Sequence, residues 1–107
     1  MLKDDFKKWM QDPANCPKLS FETPDVYIMY LNGMFDMLQE EGFLPFDGWA
    51  VLNRVSPTKI NKSKLNTIAQ LIGEAILDAE NSSTVIKAAL KNFKSAFSKL
   101  KDYIQSI

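Results

Sequence analysis

A chain of 107 residues, 46% hydrophobic and 24% charged, is long enough to bury one core and too apolar for an intrinsically disordered segment. Thirteen basic and thirteen acidic side chains cancel, so no overall field points to nucleic acid or an anionic membrane. The absence of histidine and the single cysteine, Cys16, remove the commonest general base and metal ligand, an internal disulfide and a cysteine–histidine nucleophile.

The charge is unevenly distributed. Residues 1–55 carry 5 basic and 9 acidic groups, and residues 56–107 carry 8 and 4, so an acidic half precedes a basic one. "MLKDDFKKWMQD" holds no apolar stretch of leader length, and no run approaches the roughly 20 apolar residues that span a bilayer. The expectation is a single cytoplasmic domain over 1–107 that does not engage membranes. The sequons at 61–63 and 81–83 are then chance matches.

Helical periodicity recurs along the chain, punctuated by proline and glycine. Residues 2–10 read as a short amphipathic helix with Leu2, Phe6, Trp9 and Met10 inward, broken by "DPANCP" and followed by an extended stretch to about Phe21. "TPD" at 23–25 opens the next helix, with Thr23 as cap and Pro24 in the first turn, and Gly42 closes it. Between them Val26, Tyr27, Ile28, Tyr30, Leu31, Met34, Phe35, Met37 and Leu38 spread over roughly 200° of arc. The stripe of a surface helix is about half as wide. This helix is therefore either central in its bundle or covered by a partner.

Residues 43–55 admit two readings. Asp47 caps a short helix carrying Trp49, Leu52 and Val55, or Asp47-Gly48 turns a small hairpin; Pro45 favours the helix. "SPTKINKSK" is a polar connector. A long helix follows from about Lys62 to Glu80, with Leu65, Ile68, Ala69, Ile72, Ala75, Ile76 and Ala79 on one face. After a break at 81–83, with Ser82 or Ser83 as cap, the last helix runs nearly to the end. Its stripe is Ile86, Ala89, Leu90, Phe93, Ala96, Phe97, Leu100, Ile104 and Ile107. Two long helices joined by so short a loop form an antiparallel hairpin. The fold class expected is all-α, a compact bundle of four to five helices.

Two surfaces stand out. Lys87, Lys91, Lys94 and Lys101 line one flank of the last helix, with Lys99 apart. They read as solvated edge, as a docking strip for an acidic surface, or, joined by Lys59, Lys62 and Lys64, as a track for phosphates. No arginine lies on this helix and no exposed aromatic is interleaved for base stacking. The second surface is the methionine- and aromatic-rich segment 26–55. Tyr27, Met29, Tyr30, Phe35, Phe46 and Trp49 are residue types enriched at adaptable interfaces, and Met29 falls off the main apolar arc. The acidic edge Asp36, Glu40 and Glu41 could steer a basic partner; Asp36 and Glu40, one helical turn apart, also form a candidate weak cation site.

No glycine-rich phosphate loop or nucleophile constellation occurs, and no cofactor is expected. The reading is a non-enzymatic helical module that docks to another protein or to itself through 26–49. The alternative is an accessory nucleic-acid binder using Lys59, Lys62, Lys64, Lys87, Lys91 and Lys94.

Overall fold

In a computed structural model, residues 1–20, 23–82 and 87–107 are described. Among them are five α-helices, α1 (Leu2–Gln11), α2 (Thr23–Glu40), α3 (Gly48–Leu52), α4 (Lys62–Glu80) and α5 (Lys87–Ser106), with a 3-10 turn at Lys59–Asn61 before α4 and no strand. The fold is all-α. None of these helices is long and apolar enough to cross a membrane.

Local chemistry sets the boundaries. α2 stops at Gly42, whose φ of 79° suits glycine. The Phe43 N–H donates back to the Leu38 carbonyl at 2.9 Å and that of Gly42 to Gln39 at 3.2 Å. That paired arrangement satisfies the last carbonyls of the helix. Asp47 begins α3 by accepting the Trp49 N–H at 3.1 Å, so 43–55 contains a short helix rather than a hairpin. The proline break at 12–17 contains turns, closed by bonds from Asn15 and Cys16 to the Asp12 carbonyl, both 3.0 Å, and Phe21, at the end of the expected extended stretch, lies outside the described residues. Thr23 opens α2 with its hydroxyl 2.6 Å from that of Ser20. Ser83 and Ile86, expected at the start of the last helix, lie outside the described residues.

α4 and α5 are antiparallel. The Lys62 ammonium donates to the Gln105 carbonyl at 2.7 Å and the Gln105 amide to Asn66 at 2.7 Å, while Lys94 meets Glu80 at the other end. α5 also packs against α1 and α2, and α3 bridges α1, α2 and α4. The Cα envelope measures 40 × 31 × 17 Å, and its thin dimension corresponds to about two helix layers. In so thin a molecule the outer flank of a hairpin need not be covered.

One contiguous core holds these layers together, with Leu2, Phe6, Leu31, Met34, Phe35, Leu38, Leu52, Leu65, Ile72 and Leu100 almost fully buried. Truncating a buried side chain of this size to alanine typically costs about 2–5 kcal/mol. The stripe read for α5 omitted Tyr103, which is buried against Phe6 and Trp9 at ring-centroid distances of 5.5 Å each. A wheel centred on the α4-facing side misses it because α1 covers a second side of α5.

Candidate functional site

The segment 26–49 contributes less surface than its composition suggests. Phe35 is 1% exposed and Trp49 7%, so both are core residues rather than contact residues. Their rings meet edge to face with centroids 5.2 Å apart. The Trp49 indole N–H donates to Asn32 Oδ1 at 2.7 Å, the Lys3 ammonium donates to the same oxygen at 3.1 Å, and Lys3 lies 5.3 Å from the Trp49 ring centroid. Each polar atom brought in with the tryptophan is thus partnered. Tyr27, Tyr30 and Phe46 are half-buried against the core. α2 touches each of the other four helices, which accounts for its wide apolar arc without a further partner. What remains outside is Met29, 59% exposed, with Asp36, Glu40 and Glu41. A single exposed methionine is ordinary surface. No group of three or more potential metal-ligating side chains forms among the described residues.

The lysines separate into two groups. Lys59, Lys62 and Lys64 sit where α4 begins, beside the end of α5, whereas Lys87, Lys91 and Lys94 sit where α4 ends. The 19 residues of α4 hold the groups apart, a span of about 28 Å. No single strip of six is formed. Lys94 is paired with Glu80, Lys62 donates to Gln105, and Lys101 lies 5.2 Å from the Phe97 ring centroid. Lys99, set apart on the wheel, lies 3.7 Å from Asp102. Lys87, Lys91 and Lys94 ring an open hollow of about 530 Å³ with Glu80 and Asn81.

Between α4 and α5 runs a groove that the sequence reading did not single out. Two adjoining hollows of about 450 and 420 Å³ share Gly73, Leu77, Phe97 and Lys101, and every residue lining them belongs to α4 or α5. Ala69, Phe97 and Ile104 form a buried floor, and Leu77 stands up from it 56% exposed. The α4 wall carries Glu74 and Glu80; the α5 wall carries Lys94 and Lys101. The basic flank of α5 is thereby one side of a groove whose other side is acidic. The signal was present in Gly73. Glycine inside a helix costs about 1 kcal/mol relative to alanine. Yet a β-carbon at this position would meet Phe97 Cε2 at an ordinary 3.7 Å, so internal packing does not demand the glycine.

Cys16 is buried in the loop after α1, beside a hollow of about 380 Å³ lined by Met10, Pro13, Pro17, Leu19 and Pro24. Burial pushes its thiol pKa up, opposite to the shift that makes a reactive thiolate. Compared with protein-family models, curated proteins and solved structures, the chain finds no match in any of the three.

Proposed function

We propose that this chain is a non-enzymatic helical interaction module that acts by docking, and that its contact surface is the α4–α5 groove rather than the segment 26–49. The observation carrying this reading is the groove itself, with an apolar floor, a half-exposed Leu77 and walls of opposite charge. Apolar anchors framed by charged rims are what helix-in-groove recognition uses. The α2 surface offers only Met29 and the acids Asp36, Glu40 and Glu41 as fully exposed candidates, with the half-buried Tyr27, Tyr30 and Phe46 beside them. The nucleic-acid alternative needs Lys59, Lys62, Lys64, Lys87, Lys91 and Lys94 to act together across about 28 Å of helix, with two of them already engaged.

Photo-crosslinking in cells tests the reading. A benzophenone side chain at position 77 should yield a discrete protein adduct, and the same group at position 29 should yield none. No adduct at position 77, or equal adducts at both, rejects the groove as contact surface.

A further inference from the structure

We infer that the occupant of the α4–α5 groove is the same groove of a second copy of this chain, paired about a two-fold axis to make a four-helix interface. The inference rests on the docking reading and names its partner.

Charge is the first argument. The acidic wall lies on α4 and the basic wall on α5. A two-fold axis running parallel to the hairpin, between the two faces, lays α4 of each copy over α5 of the other, so acid meets base on both sides. Among the described residues neither Glu74 nor Lys101 makes an ion pair, and the Lys101 ammonium lies over the Phe97 ring. Both are free to pair across the interface, Glu74 of each copy with Lys101 of the other. A helix of uniform charge would match one wall and be repelled by the other. The chain's net charge of zero leaves no overall repulsion between copies.

Shape is the second argument. The same face presents a knob, Leu77, and a hollow opened by the missing side chain at Gly73. The two-fold sets each Leu77 over the floor of the opposite groove, the self-complementarity an isologous contact requires. Size is the third. A hairpin face about 28 Å long and roughly 20 Å wide buries about 1,100 Å² over both copies, just above the roughly 1,000 Å² expected of a specific interface. An area at the low end of the specific range fits a weak, reversible dimer.

Sedimentation equilibrium of the purified chain decides the matter. Between about 5 and 500 μM the apparent mass should rise from the 12.2 kDa of one chain toward twice that value. Leu77→Glu changes an exposed side chain, so it should leave the circular dichroism spectrum intact while weakening association about 100-fold. Glu74→Lys and Lys101→Glu should each weaken it about 10-fold, and the double variant should recover to within about 3-fold of wild type. A chain that stays at 12.2 kDa throughout, or a folded Leu77→Glu that dimerises as wild type does, overturns the inference. An adduct at position 77 with a different protein, together with a monomeric chain, removes the second copy and leaves the docking reading standing. No adduct at all removes both.

Discussion

The two halves of this chain are built by opposite means. In α1–α3 the large residues are locked among themselves: Phe35 on Trp49, Trp49 on Asn32, and Lys3 on both Asn32 and the indole. In the α4–α5 hairpin small residues, Ala69 and Gly73, open a hollow, and Leu71 and Leu77 remain 46% and 56% exposed. Large apolar residues attract attention as contact surface, but a core claims them first. A surface able to receive another helix is made where side chains are missing.

Of the three glycines that face aromatic rings, Gly48 and Gly73 give the sharpest contrast, and Gly48 carries the largest expected effect. A β-carbon there would stand 2.3 Å from Phe35 Cδ1. The ring is held by Trp49 and has little freedom to move aside. Gly48→Ala should therefore cost about 3 kcal/mol in urea unfolding, the overpacking penalty of a filled core. A loss near zero would mean that α3 shifts freely on α2, and the locked description of this region would be wrong.

The aromatic seam joining the two regions should show itself at high pH. Burial, with a smaller contribution from Asp5, raises the Tyr103 phenol from 10.0 to about 12. The proton is held more tightly in the folded state, so this contribution is complete below pH 10 and is lost as pH rises through about 12. Urea unfolding followed from about pH 9 to pH 12 should show the wild type losing about 2 kcal/mol more than Tyr103→Phe. Parallel pH profiles would place the phenol in contact with water.

The smallest effect, and the only gain, belongs to Gly73. With 3.7 Å of clearance to Phe97, Gly73→Ala should stabilise the chain by about 0.5–1 kcal/mol through helix propensity. The measurement belongs at low micromolar concentration, where self-association does not contribute. Destabilisation instead would show that the hollow closes on Gly73 in solution, and the contrast with Gly48 would disappear.

Most of the helices were legible in the sequence because their signals are local. The helix expected from about Lys62 to Glu80 spans Lys62–Glu80, the favoured of two readings for 43–55 has Asp47 as the α3 cap, and Gly42 is the expected α2 stop. The candidate site was far less legible. Phe35 and Trp49 were assigned to a contact surface and are buried; Lys87, Lys91 and Lys94 were joined to Lys59, Lys62 and Lys64 and lie at the opposite end of α4. Gly73 and Leu77 went unremarked, since a glycine inside a helix and a leucine off its stripe look like minor irregularities until the facing helix is in place.

The sequence alone determined most of the helices, the boundary residues Gly42 and Asp47 and the inward stripe of α4, because periodicity and capping act over one or two turns. Only the tertiary structure decided which flanks stay uncovered. A helical wheel defines two edges to every stripe, and which edge meets water depends on residues far away in the chain. On α5, α1 covers the edge bearing Tyr103, whereas the edge bearing Lys101 stays exposed among the described residues.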